Sequence, residues 1–212
     1  IDTTPPTVVS FTISDNSLTV GETAIVTLTF SESVTGFSSA ADITAQNGTL
    51  SLMESSEAGK IWTGTFTPSI SLQSTTNVLT LSTNYTDLAG NSGPSATSPN
   101  YAIDTIPYTY TIKPGTATDV IITGTTAGTA LSGDIVIPDT FSISSTTYSV
   151  KEIGANAFQY TAISSVTIPA SVTSIGVNAF QMAAGSTQFT SVTFATGSLL
   201  ATIGGGAFTE FG

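Results

Sequence analysis

Cysteine and histidine are both missing from this chain of 212 residues. Their absence excludes disulfide bonds, thiolate nucleophiles, imidazole bases and the usual zinc or copper ligands. Carboxylates, amides, hydroxyls and backbone carbonyls remain, and these oxygens are the ligands that hard cations such as calcium prefer. Any metal site in this chain is therefore expected to be an all-oxygen site.

Positive charge is nearly absent as well. Three lysines stand against fourteen acids, which gives a net charge of -11. So acidic a chain has no basic surface to neutralise phosphates, which excludes nucleic acid as a partner and argues against anionic lipid. No apolar run approaches the roughly 18 residues that a membrane span needs, so we expect no membrane insertion of this segment.

Neither end of the sequence resembles a natural terminus. The segment IDTTPP (1–6) has no start methionine and no signal-peptide pattern, and the chain stops inside a repeat. We therefore expect a segment of a larger protein. Abundant Ser, Thr and Gly without cysteine are typical of secreted bacterial surface proteins, which predicts an extracellular, secreted or cell-surface location.

The first hundred residues alternate apolar and polar positions with a period of two. In TAIVTLTF (23–30), one face carries Ala24, Val26, Leu28 and Phe30, as in a half-buried strand. The same pattern recurs in KIWTGTFTP (60–68) and NVLTLSTNY (77–85), with turn residues between the runs. About seven short strands in this length predict an immunoglobulin-like β-sandwich without the cysteine pair.

If successive strands run up and down, several oxygen-bearing residues gather at one pole of this sandwich. They are Asp2, Glu32, Glu54, Glu57, Asp87 and Asn91. Clustered acids repel one another, and a bound divalent cation offsets that repulsion. The alternative is that Asp87 and Asn91 are ordinary turn residues whose side chains bond the nearby backbone. We favour a Ca²⁺ site formed by Asp2, Glu32, Asp87 and Asn91.

Four spaced motifs resemble the bacterial Ig-like repeats of giant surface adhesins: DTTPPTV (2–8), LTVGETAIVTLTFSE (18–32), WTGTFTP (62–68) and YTDLAGN (85–91). This resemblance implies an extracellular spacer domain over residues 1–104, with neighbouring Ig-like domains in the parent chain. It also implies calcium at the domain junctions, with Asp2 in the entering linker. Asp104 repeats the linker pattern, but the sequence that follows departs from another Ig-like repeat.

The second half, residues 105–212, contains an internal repeat. Its three copies are EIGANAF (152–158), SIGVNAF (174–180) and TIGGGAF (202–208). Each is preceded by a short apolar segment: DIVIP (134–138), SVTIP (165–169) and SVTF (191–194). Repeats of 22 and 28 residues are typical of a solenoid. We expect parallel strands such as Val166 to Ile168, with Ile175, Ala179 and Phe180 in the interior.

These copies resemble leucine-rich repeats of the bacterial surface-antigen type over roughly residues 130–212. The segment YTYTIKPGTATDVIITG (108–124) resembles the β segment that precedes such arrays, and we expect it to cap the first repeat. The expected fold class is therefore mainly β: an Ig-like sandwich followed by a short β-rich leucine-rich repeat solenoid with an N-terminal β cap.

Catalysis is not expected from this sequence. No histidine or Ser-x-x-Lys pattern activates a hydroxyl, and Asp134 and Asp139 flank a strand where acids are ordinary. We predict a non-enzymatic spacer that presents a repeat module to a protein or carbohydrate ligand on an external surface. The alternatives are an accessory region of an extracellular hydrolase and a purely architectural pair of modules.

Overall fold

The computed structural model describes residues 2–127 and 130–209. Ile1 of the IDTTPP segment and the C-terminal end of the repeat module, residues 210–212, lie outside the described residues. The chain forms two compact units, Ile1–Thr105 and Ile106–Gly212.

Unit 1 is built from short strands and two single-turn helices. They are β1 (Val8–Ile13), β2 (Ser17–Thr19), β3 (Ala24–Phe30), β4 (Val34–Thr35), α1 (Ser39–Asp42), β5 (Ile43–Ala45), β6 (Gly48–Leu50), β7 (Glu54–Ser56), a 3₁₀ helix (Glu57–Gly59), β8 (Ile61–Pro68), β9 (Leu72–Asn77), β10 (Leu79–Leu81), β11 (Thr86–Asp87), β12 (Ala96–Thr97) and β13 (Tyr101–Asp104). This unit has the predicted Ig-like β architecture.

The main sheet of unit 1 has the order β1-β3-β8-β6, and β7 also pairs with β8. Strands β1 and β3 are antiparallel, as are β3 and β8. The remaining strands pair β12-β10-β5 and β11-β4, while β13 lies antiparallel to β9 and parallel to β2. The period-two pattern of β3 is confirmed, since its alternate residues from Ala24 to Phe30 are buried.

Strand pairing defines two opposite poles of unit 1. Strand β1 starts where β3 ends, because Val8 lies opposite Phe30. The beginning of β3 lies beside the end of β8, where Ala24 faces Phe66. The segments before β1 and after β3 therefore share one end of the unit, which we call the N-terminal pole. The turns that follow β2 and β8 lie at the other end.

Unit 2 is also made of strands. They are β14 (Tyr108–Ile112), β15 (Asp119–Thr125), β16 (Ser132–Val136), β17 (Thr140–Ile143), β18 (Thr146–Ile153), β19 (Ala162–Ile168), β20 (Ser174–Ile175), β21 (Ser191–Phe194) and β22 (Thr202–Ile203). Strands β16, β19 and β21 form one parallel sheet. A second parallel ladder joins β15, β18, β20 and β22. This is the predicted solenoid.

The Ile-Gly-x-x-Ala-Phe segments stack as three successive turns joined by a backbone ladder. Gly176 N–H donates to the Ile153 carbonyl at 2.7 Å, and Gly204 N–H repeats this bond to Ile175 at 2.8 Å. The glycine is required by close approach, because a Cβ built on Gly176 would lie 2.4 Å from the Ala155 nitrogen of the preceding turn. Stacking thus fixes one position of the motif as glycine.

A column of aromatic rings runs through the interior of unit 2. Phe158, Phe180 and Phe208 occupy the same position in the three turns, and their ring centroids are 5.0 and 5.4 Å apart. The predicted interior residues Ile175, Ala179 and Phe180 are all buried. The β14–β15 hairpin closes the first turn, with Tyr108 packed edge-on against Phe158 at 5.8 Å.

Candidate metal centre

Three acidic side chains come together at the N-terminal pole of unit 1. Asp2 precedes β1, Glu32 follows β3, and Asp87 ends the two-residue strand β11. One carboxylate oxygen of each lies within 4.8 Å of the other two. Two ligands of one calcium ion can be at most about 5 Å apart, since each lies 2.3–2.6 Å from the ion. The spacing of this group, which we call the acidic group, therefore fits a shared calcium ion.

Backbone pairing positions the first two acids. Ser31 N–H donates to the Thr7 carbonyl at 2.9 Å, and Thr7 N–H donates to the Ser31 hydroxyl at the same distance. This reciprocal pair holds the chain before β1 against the end of β3. Asp2 also accepts a hydrogen bond from Thr4 N–H at 2.9 Å, which turns its carboxylate back toward its own segment.

The loop from Asp87 to Asn91 closes around the Asp87 carboxylate. Its Oδ1 accepts hydrogen bonds from the backbone N–H groups of Ala89 and Asn91, both at 2.8 Å. Its Oδ2 accepts from Asn91 Nδ2 at 2.7 Å. Gly90, at φ +94°, supplies the left-handed turn that this loop requires. The carboxylate is thereby fixed in a buried position.

Asn91 contacts the acidic group through its side-chain amide nitrogen. In addition to the bond with the Asp87 carboxylate, Nδ2 donates to the backbone carbonyls of Asp2 at 3.3 Å and Thr4 at 3.4 Å. In this arrangement Asn91 joins the entering segment to the loop, and a half-turn of the amide would be needed to present Oδ1 to a cation. The sequence did not indicate these two carbonyls, which are further oxygen atoms beside the acidic group.

The other acids predicted at this pole lie outside the acidic group. Glu54 begins β7, and Glu57 begins the 3₁₀ helix. Asp104, which the linker pattern placed toward the next module and not at this pole, ends β13 and accepts a hydrogen bond from Gln73 Nε2 at 2.8 Å. Of the six residues expected to converge, the structure thus brings together Asp2, Glu32, Asp87 and, through its nitrogen, Asn91.

Two opposing effects set the protonation of Asp87. Burial by itself raises the pKa of the carboxyl, whereas hydrogen bonds from Asn91, Ala89 and Gly90 lower it. The hydrogen bonds outweigh burial, and the pKa of Asp87 lies below its ordinary value.

This lowered pKa predicts acid sensitivity of unit 1. The stabilisation should be fully present above the unfolded-chain pKa of about 3.9 and lost as the pH falls through the folded-state pKa. Asp87→Asn should remove this part of the acid dependence. Trp62, the only tryptophan of the chain, lies in unit 1, so its fluorescence during melting at successive pH values measures the effect. An identical pH profile for the variant would contradict the prediction.

No helix within residues 2–127 and 130–209 has the length and apolar character needed to cross a membrane.

The comparisons with known proteins divide the chain into two parts. Residues 2–103 match the bacterial Ig-like domain model, and residues 139–211 match the BspA type leucine-rich repeat region in six copies. None of the curated proteins matches the chain.

Several solved structures resemble part of the chain. A leucine-rich repeat protein from Bacteroides capillosus is 30% identical, covering 48% of this chain and 70% of that one, with a TM-score of 0.39. A leucine-rich cell surface protein from Faecalibacterium prausnitzii is 29% identical over 48% of this chain and 26% of its own length, with a TM-score of 0.40. The pneumococcal vaccine antigen PcpA is 23% identical over 48% of this chain and 28% of its own length, with a TM-score of 0.38.

Proposed function

We propose a role outside the bacterial cell for this chain, which joins a bacterial Ig-like domain to a BspA-type leucine-rich repeat region. The Ig-like domain serves as a spacer, and the repeat region serves as a binding surface for a protein or carbohydrate. The role is non-enzymatic, which agrees with two matched families that are not enzyme families. The observation that carries the spacer role is the acidic group, because it contains a residue of the entering segment.

Calcium at the acidic group would stiffen the entry to the spacer. Asp2 belongs to the segment before β1, whereas Glu32 and Asp87 belong to the domain itself. An ion bound to all three fixes the direction in which the chain enters the domain. Hard oxygen ligands and like charges favour calcium at such a site.

The binding surface that we assign to the repeat region is the outer face of the sheet β16-β19-β21. In register across this sheet lie Asp134, Ser165 and Ser191, followed by Val136, Thr167 and Thr193. The Ser165 hydroxyl donates to Asp134 Oδ1 at 2.7 Å. Rows of hydroxyls on a rigid sheet can be varied without disturbing the core, which suits a recognition surface.

The calcium proposal predicts a metal-specific gain in stability. Extracellular modules bind calcium with dissociation constants of about 0.1–1 mM, so 10 mM calcium is at least ten times such a value. At a calcium concentration ten times the dissociation constant, binding adds about 1.4 kcal/mol to the free energy of unfolding. This raises the melting temperature of a domain of this size by roughly 6–11 °C. Magnesium should have a smaller effect, because it requires a compact octahedral site and retains its waters.

The test is to melt the full chain in chelator, in calcium and in magnesium, following Trp62 fluorescence. Glu32→Gln is the most informative variant. It removes one charge of the acidic group and leaves the hydrogen bonds that the loop makes to the Asp87 carboxylate in place. Asp87→Asn should also lose the calcium response, with a lower starting stability. Glu54→Gln is the matched control and should respond as the wild type does. Equal shifts by calcium and magnesium, or a full response of Glu32→Gln, would refute the site.

A further inference from the structure

Tyr160 departs from the repeat pattern of the stacked turns. The first turn ends in Phe158-Gln159-Tyr160 and the second in Phe180-Gln181-Met182. Met182 is 2% exposed and belongs to the core, whereas Tyr160 is 63% exposed. The backbone of Tyr160 is also left-handed, at φ 58°. One turn therefore displays an aromatic ring where its neighbour buries an aliphatic side chain.

Folding does not account for a tyrosine at this position. The left-handed positions inside the motif hold Asn156, Asn178 and Gly206, residue types that adopt positive φ readily. A bulky side chain with positive φ is strained, and this ring is not compensated by burial. Strain that is retained at an exposed residue points to a functional role.

Backbone and glutamine side-chain hydrogen bonds hold the chain on either side of Tyr160. Tyr160 N–H donates to the Gln181 carbonyl at 2.9 Å, and Gln159 Nε2 donates to Gln181 Oε1 at 2.6 Å. Two residues further on, the Ala162 carbonyl accepts from Gln188 Nε2 at 2.9 Å. These bonds orient the side-chain amides of Gln159, Gln181 and Gln188, and each amide carries both donor and acceptor groups. We call Tyr160 and these three glutamines the corner.

The corner lies in a stretch without charge. Residues 153–209 contain no Asp, Glu, Lys or Arg, although the whole chain carries a net charge of -11. A ligand at this corner therefore gains nothing from ion pairing with the stretch itself. Its affinity must come from contact with the ring and from hydrogen bonds to neutral groups.

We propose that Tyr160, Gln159, Gln181 and Gln188 form a binding site for an uncharged carbohydrate. A sugar ring has an apolar C–H face that packs on an aromatic ring, and hydroxyls that donate to and accept from amides. This inference rests on the proposed binding role of the repeat region and names its ligand class. The carbohydrate site lies at the end of the first turn and is separate from the hydroxyl rows of the sheet, which remain the surface assigned above.

The test measures binding of the full chain to cello-, malto-, manno- and xylohexaose and to chitohexaose by calorimetry. Wild type should bind at least one of these, with affinity unchanged between low and high salt because no ion pair contributes. Tyr160→Ala should lower that affinity at least tenfold. Tyr160→Phe keeps the ring and should stay within about threefold of wild type.

Tyr160→Asn separates binding from folding. Asn tolerates positive φ, so this variant should melt at a higher temperature than wild type while losing the sugar. Val177→Ala, on an exposed position of the second turn, is the control and should bind as wild type does. Full binding by Tyr160→Asn, or no binding of any of the five sugars by wild type, overturns the proposal. Retained capture of a protein ligand in that case would leave the proposed binding role standing.

Discussion

Replacing Phe180 by Ala is expected to destabilise the leucine-rich repeat region by about 3–5 kcal/mol. The ring is fully buried and stacks between Phe158 and Phe208, so its removal opens a cavity in the centre of the aromatic column. Stacked turns cannot close such a cavity without breaking the backbone ladder that holds them in register. The free-energy cost of losing the buried ring and the cost of the remaining cavity therefore add.

The two units allow this effect to be localised. Far-UV circular dichroism follows both units, whereas Trp62 fluorescence follows the Ig-like domain alone. We expect the transition of the repeat region to move down by more than about 10 °C, with little change in the Trp62 transition. Phe194→Ala is the control, because that ring is 41% exposed at the end of β21 and should cost far less. Equal losses in the two variants would place Phe180 outside the core.

Gly176→Ala should be almost as damaging, although it adds only one methyl group. The new Cβ would lie 2.4 Å from the Ala155 nitrogen and 2.6 Å from the Gly154 carbonyl carbon, both in the preceding turn. Neither backbone atom can move aside as a flexible side chain would. The turns must separate, which weakens the bond from Gly176 N–H to Ile153, and we expect a loss of about 3 kcal/mol or more.

Gly205→Ala is the matched control for this prediction. It lies in the third turn, where a Cβ would meet no heavy atom within 4 Å. We expect its melting curve to stay within about 0.5 kcal/mol of wild type. If both alanine variants melt alike, close stacking does not explain the glycine of the motif. Thermal melting by circular dichroism decides between these outcomes.

The sequence predicted the features that depend on local pattern. Alternation identified the buried face of β3, and recurrence identified Ile175, Ala179 and Phe180 as interior residues. Strand order then placed Asp2, Glu32 and Asp87 at one pole. The buried positions could be predicted because burial imposes a period on the sequence. The calcium site itself stays a prediction.

Other features depend on contacts that recurrence alone does not specify. The motif marks a recurring glycine, but only stacking shows that Gly176 faces the Ala155 backbone. The pattern placed Asn91 beside Asp87, but the direction of its amide follows from the carbonyls of Asp2 and Thr4. Tyr160 is exposed whereas Met182 is buried, although both follow the same Phe-Gln pair. Side-chain orientation is set by tertiary neighbours, which a single sequence does not reveal.

The strand pairing of the Ig-like domain also determines how that domain responds to tension. The chain enters at the N-terminal pole through β1 and leaves at the opposite pole through β13, whose parallel partner is β2. Pulling the two ends apart therefore acts along the strands and across their hydrogen bonds. The bonds of β1 with β3 and of β2 with β13 are loaded together in shear and cannot unzip one at a time. We expect a domain loaded in this way to extend only at high force, which would suit the proposed spacer role.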